Sequence, residues 1–252
     1  MADNHRQEMI ENFSKYRIGL DEKFAFKCRA CGKCCRNRED ILLNPQDVYN
    51  LAIALNITHE QVIATYCEVY IGESSRIPII RLMPKGLNKV CPLLKNDRCS
   101  VHLIEPSLKP TVCRLAPLGR VALHKGAAEV MDVSNLGKVE YILNDFACAS
   151  AKRKQTVRQY LTEFGIPIED EFFKAWNETL YSLVMAMQKV EAKPHATQKS
   201  IEMLRGGIFQ AIYLQYDTQL NFLSQFIANA DKILTLFGKL DEFEIAPEDG
   251  AD

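Results

Sequence analysis

Apolar residues recur at helical spacing through the second half of the chain and break into short, irregular runs in the first half. Val157, Leu161 and Phe164 share one face of a predicted helix that Gly165 ends. Phe172, Trp176, Leu180, Val184 and Met187 follow at spacings of three and four, which predicts a second. Ile201, Leu204, Ile208 and Ile212 predict a third over 200–214, with Gly206-Gly207 as a weak point in its middle. Phe222, Phe226, Ala230, Ile233 and Phe237 predict a fourth. Stripes of this kind are read first as packed core, with a groove for a protein partner as the lesser reading.

Helix-start signals appear earlier as well. Asn44, Pro45 and Asp47 read as an N-cap followed by proline at the first helical position, predicting a helix over 45–55. Thr58 with Gln61 three residues later reads as a capping box that opens a second helix toward Tyr70. The two form a helical hairpin. Residues 76–83 and 119–124 are short and rich in apolar or β-branched side chains, so they are assigned to strands, with 129–133 expected to pair with the latter. The expected fold class is α+β: an irregular cysteine-rich domain with a helical hairpin and a small sheet, then a C-terminal helical region. The expected division is 20–150 for the cysteine domain, 151–243 for the helices, and 244–252 for a disordered acidic tail.

Cysteine usage changes the picture. All nine cysteines lie between Cys28 and Cys148, and none follows. The first twenty residues open with polar and charged side chains and lack the apolar run of a signal peptide, and the longest apolar runs, such as 183–187, fall far short of a membrane span. A soluble cytoplasmic protein is therefore expected, with no membrane partner. A reducing cytosol does not maintain structural disulfides, and the odd count and the vicinal pair Cys34-Cys35 argue the same way. Metal ligation is the usual reason for so many thiols, with disulfides the lesser reading.

The strongest single motif is Cys28-Arg-Ala-Cys31-Gly-Lys-Cys34-Cys35. Cysteines three apart on a tight loop can turn their sulfurs toward one point, and Gly32 allows a positive φ there. Lys27, Arg29, Lys33, Arg36 and Arg38 surround the four thiols, favouring thiolates and partly neutralising them. With no interleaved aromatics and a net charge of -1 over the chain, nucleic acid is not an expected partner. A second group is formed by Cys91, Cys99 and Cys113, with Cys148 further on. The turn Lys95-Asn96-Asp97-Arg98 sets Cys91 and Cys99 on two arms of a hairpin. These cysteines could complete the first site or form another.

Two metals compete. Thiolates suit both zinc and iron–sulfur clusters. Eight thiols divide into two tetrahedral zinc sites, whereas a C-x2-C-x2-C loop joined to the remote Cys91-Pro92 is similar to the ferredoxin arrangement and tilts the reading toward an iron–sulfur cluster, 4Fe-4S by that likeness. Cys67, far from any spacing partner, is read as a buried free cysteine in a helix. His102 and His124 are left out of the ligand set. Walker, G-x-S-x-G, G-x-G-x-x-G and H-E-x-x-H signatures are absent.

From about Phe26 to Cys148 the chain resembles the CxxCxxCC family of zinc- or iron-chelating proteins, the YkgJ-type cysteine cluster proteins. The resemblance is carried by Cys28 to Cys35, Cys91-Pro92-Leu93-Leu94, Cys99-Ser100-Val101, Lys109-Pro110-Thr111-Val112-Cys113-Arg114 and Pro117. It implies eight metal-associated cysteines: Cys28, Cys31, Cys34, Cys35, Cys91, Cys99, Cys113 and Cys148. Two departures stand out, Lys109 in place of the favoured arginine and Ala149-Ser150 after Cys148 in place of proline and glycine. One branch of the family resembles flagellin lysine N-methylases. The expected function is accordingly a metalloprotein with a structural or redox centre. The alternative is a protein lysine N-methyltransferase using S-adenosylmethionine, with Arg36, Arg38 or Arg114 holding the cosubstrate.

Overall fold

The protein is described by a computed structural model, which defines residues 15–28, 31–124, 136–144 and 154–242. It is α+β, as its patterning predicts. The chain folds into two compact units, each assembled from two separate stretches: Met1–Leu43 with Arg81–Glu171, and Asn44–Ile80 with Phe172–Asp252. The expected division ran instead along the chain, 20–150 and then 151–243. What redraws it is the helical hairpin, which shares a compact unit with the C-terminal helices. The acidic tail at 244–252 lies outside the described residues.

The first unit holds the cysteine motifs. Strands β1 (Arg17–Ile18), β9 (Leu136–Leu143) and β8 (Leu118–His124) form an antiparallel sheet in that order, with Arg17 opposite Ile142 and Arg120 opposite Tyr141. The ladder is irregular between Ala122 and His124. The expected partner of the 119–124 strand, 129–133, lies outside the described residues. Strand β2 (Lys23–Ala25) pairs with β10 (Lys154–Thr156). Behind these strands Ile18, Phe24, Phe26, Leu115, Leu118, Tyr141, Val157, Tyr160, Leu161 and Ile166 form one buried cluster. It draws the ends of the cysteine region together, because its members come from both sides of the motifs. Helix α5 (Val157–Glu163) supplies Val157, Tyr160 and Leu161 to it, is capped by Thr156, and gives way to Gly165 at φ 60°.

The second unit starts with α1 (Pro45–Leu55), whose Asn44 Oδ1 accepts from Asp47 N–H at 2.8 Å while Asp47 accepts back from Asn44 N–H at 3.1 Å. Helix α2 (His59–Tyr66) carries the matching pair between Thr58 and Gln61. It stops four residues before the expected Tyr70. The segment after it, Cys67–Ile71, is strand β4, so Cys67 sits at the start of a strand and not in a helix. Val69, Tyr70 and Ile71 explain the switch: β-branched and aromatic neighbours favour the extended chain. Strand β5 (Pro78–Leu82) lies beside β4.

The long helices complete this unit: α6 (Glu171–Glu191), α7 (Gln198–Phe209) and α8 (Phe222–Glu242). The stripe of α8 is buried as its pattern predicts, at Phe222, Phe226, Ala230, Ile233 and Phe237. In α6 the buried face runs through Phe172, Thr179, Leu183, Met187 and Val190, so it leaves the expected Leu180 and Val184 to one side. Phe172 meets Phe222 and Phe226 edge to face, each at a 5.1 Å centroid separation. The glycine pair in α7 stays helical, and the irregularity falls beyond it, in a π-helical turn at Gln210–Leu214 whose Ala211, Ile212 and Tyr213 are buried. No helix among the described residues is long and apolar enough to cross a membrane.

Candidate metal centre

The first cysteine loop is shaped by one residue. Gly32 has φ 66° and caps a 3-10 turn, Lys33–Cys35, in which Cys35 N–H donates to Gly32 O at 3.1 Å. A Cβ at this position would stand 2.7 Å from the backbone oxygen of Asp97 and 3.1 Å from Leu94 Cδ1. Glycine is therefore required twice, by its dihedral and by the close approach of the second cysteine segment.

That second segment is the hairpin of β6 (Leu94–Lys95) and β7 (Arg98–Cys99), with Leu94 opposite Cys99. Its turn residues Asn96 and Asp97 both take positive φ, 48° and 60°, the pattern of a two-residue hairpin turn. Cys91 precedes the first arm, and its N–H donates to Cys35 O at 2.8 Å. Three further links join the two segments: Asn37 N–H to Asn88 O at 3.0 Å, Lys89 to Glu39 at 2.5 Å, and the Arg36–Asp97 ion pair. Cys99 leads into a short helix α3 (Ser100–Ile104), and Cys113 lies on α4 (Thr111–Leu115), which begins after Pro110. The end of α4 is held by the Tyr160 hydroxyl, which donates to Ala116 O at 2.5 Å, and the start of the first loop by Gln155 Nε2, which donates to Phe26 O at 2.9 Å.

The result is a single cavity of about 70 Å³ lined by Cys28, Cys31, Cys34, Cys35, Cys91, Cys99 and Cys113. All seven belong to the first unit. Phe26, Ile41, Leu82 and Leu93 supply apolar wall, while Arg38, His102 and Lys109 bring polar groups. Exposure falls from one side to the other: Cys28 and Cys31 are exposed, Cys34, Cys35, Cys99 and Cys113 half-buried, and Cys91 buried. None of these seven cysteines is in a disulfide. The Sγ atoms of the neighbours Cys34 and Cys35 lie 3.9 Å apart. Among the described residues no three His, Cys, Asp or Glu side chains close on one point as an ion would require, so the sulfurs share a cavity without a common centre. Cys148 lies outside the described residues, as does Arg29.

Burial and the contacts among the sulfurs favour the protonated form of Cys34, Cys35 and Cys113. Cys34 is pushed up by its hydrogen bond with Cys35, then by burial and the charge of Cys35. For Cys35 the bond from Cys34 pulls down, but the bond with Cys91, burial and the neighbouring sulfurs outweigh it and raise the thiol to about 12. Burial raises Cys113, against the opposing charge of Lys109. A metal ion reverses this balance, because a coordinating thiol is deprotonated outright. The donor set fits zinc or iron: soft sulfur donors in a part-apolar enclosure with room for several water-sized groups.

The family model "CxxCxxCC: Putative zinc- or iron-chelating domain" matches residues 27–158, just over half of the chain. The chain belongs to the CxxCxxCC family. No curated protein and no solved structure matched the chain. The CxxCxxCC domain thus spans the first cysteine loop, the helical hairpin, the second cysteine group and the start of α5.

Three wall residues were not in the expected ligand set: Arg38, His102 and Lys109. Their signal lies in spacing, since His102 follows Cys99 by three positions on a helical turn and Lys109 precedes Cys113 by four. His102 Nδ1 is buried and has no hydrogen-bond partner among the described residues. Cys67, in contrast, belongs to the second unit, buried with its thiol raised to about 12 by burial. It does not line the cavity.

Proposed function

We propose that the CxxCxxCC domain holds thiolate-ligated metal, an iron–sulfur cluster in preference to zinc, with the four ligands of each centre drawn from Cys28, Cys31, Cys34, Cys35, Cys91, Cys99, Cys113 and Cys148. The observation that carries this reading is the cavity lined by seven cysteines from three separate chain segments. One feature supports a cluster over a lone ion: the three-plus-one spacing with proline after Cys91 matches cluster-binding loops.

The centre is structural in this reading. The segments that carry the cysteines are two-residue strands, single helical turns and loops, which bury little apolar surface of their own. Metal binding then supplies folding free energy that the backbone cannot. A cytoplasmic location follows from the need to keep these thiols reduced.

The methyltransferase reading gains no support from the arginines proposed to hold its cosubstrate. Arg36 pairs with Asp97, Arg38 with Asp40, and Arg114 Nη1 donates to Ser107 O at 2.5 Å. Anaerobic purification followed by a visible spectrum and elemental analysis tests the proposal. A brown protein carrying iron and acid-labile sulfide is expected. A colourless protein carrying stoichiometric zinc would replace the cluster with zinc, and a protein loaded with neither metal after reconstitution would overturn the reading.

A further inference from the structure

We propose that Lys109 is the built-in countercharge of the cysteine cavity, a positioning residue whose ammonium stabilises an anionic, thiolate-ligated occupant. The inference rests on the metal reading above and adds to it the sign of the occupant's charge and the side chain that answers it.

The geometry begins with what surrounds the cavity. Of the basic residues near the first cysteine group, Arg36 is tied to Asp97 and Lys89 to Glu39. Arg38 lines the cavity, but its guanidinium is engaged by Asp40, with Nη2 donating to Oδ2 at 3.0 Å. Lys27 and Lys33 are exposed and outside the lining. Lys109 differs from all of them. It is half-buried, lines the same cavity as Cys34, Cys35, Cys99 and Cys113, and pairs with no carboxylate among the described residues. The one side-chain hydrogen bond it makes among the described residues is a long one, from Nζ to Cys113 O at 3.5 Å. His102 Nδ1, buried and without a partner among the described residues, belongs to a side chain that lines the same cavity. One unsatisfied ring nitrogen and one ammonium without a carboxylate partner among the described residues therefore border one thiol-lined space.

A half-desolvated cation with no counterion costs free energy in the metal-free protein. The cost is offset when the cavity holds negative charge. A dication bound by four thiolates is a dianion, so the expected occupant supplies that charge. Lysine suits the task because its ammonium is a compact point charge on a flexible stem and needs no planar partner. Removing the charge acts in opposite directions on the two states: it relieves the empty cavity and weakens the filled one.

The test uses the full chain in wild-type, Lys109→Met and Lys109→Arg forms, with zinc as the probe, competed against a chromophoric chelator under anaerobic conditions. Lys109→Met should bind zinc at least about tenfold more weakly, the scale of a lost outer partner, and Lys109→Arg should restore most of the affinity. The metal-free Lys109→Met protein should melt at or above the wild-type temperature. Wild-type affinity in Lys109→Met overturns the inference and leaves the metal reading intact. A loss of affinity in step with a lower melting point of the metal-free protein also overturns it, since the role would then be structural. A wild-type chain that binds neither zinc nor, after reconstitution, an iron–sulfur cluster removes both.

Discussion

Gly32 is the residue on which the shape of the site turns. Its positive φ lets the first cysteine loop reverse, and its missing side chain lets that loop meet the Asp97 carbonyl. Gly32→Ala meets both penalties, and strained backbone of this kind costs about 1–3 kcal/mol. The variant should melt lower than wild type and retain less metal, as thermal denaturation and metal analysis would show. His59 is informative in the other unit. Its ring packs against Tyr49 and Tyr216 at 5.9 and 5.8 Å, and Nε2 is buried with no hydrogen-bond partner among the described residues. Burial lowers its pKa from the ordinary 6.5, against a smaller opposing effect of Glu60. The unfolded chain therefore takes up a proton that the folded chain refuses. The neutral ring's full contribution is present above about pH 6.5, and stability falls as pH drops below that value toward the folded pKa. Urea denaturation across this range should show the slope, and His59→Leu should remove it.

At the scale of elements, local chemistry decides the starts of helices and tertiary context decides their ends. The capping box of α2 joins Thr58 and Gln61 reciprocally, so Thr58→Ala should cost about 1 kcal/mol, measurable by chemical denaturation. Both caps of the helical hairpin were legible because each needs only three residues of sequence. The end of α2 was not: Cys67 continues a stretch with helical patterning, and the extended preference of Val69, Tyr70 and Ile71 prevails there with β4 paired beside β5. The same holds for the π-helical turn at Gln210–Leu214. Glycine propensity points to Gly206-Gly207, yet these remain helical, and the extra residue is accommodated where Ala211, Ile212 and Tyr213 must all be buried. The hairpin between Cys91 and Cys99 was legible from Asn96 and Asp97, residue types that tolerate positive φ.

Across the whole molecule, the thiol constellation could be read from spacing, while the way the chain distributes itself could not. A linear reading keeps 45–80 with the cysteines that flank it. In the structure that stretch shares a unit with the C-terminal helices, and the cysteine segments on either side of it meet directly through Cys35, Gly32 and Asp97. Spacing also could not show which side chains share the cavity wall, because Lys109 and His102 are brought there by short helical turns whose direction depends on Pro110 and the β6–β7 hairpin. The central claim is that the cavity gathers sulfur around metal. X-ray absorption at the metal edge of the anaerobically purified protein tests it most directly. The account predicts a first shell made of sulfur, at about 2.3 Å if the metal is zinc. A first shell of oxygen and nitrogen, with no sulfur, would contradict it.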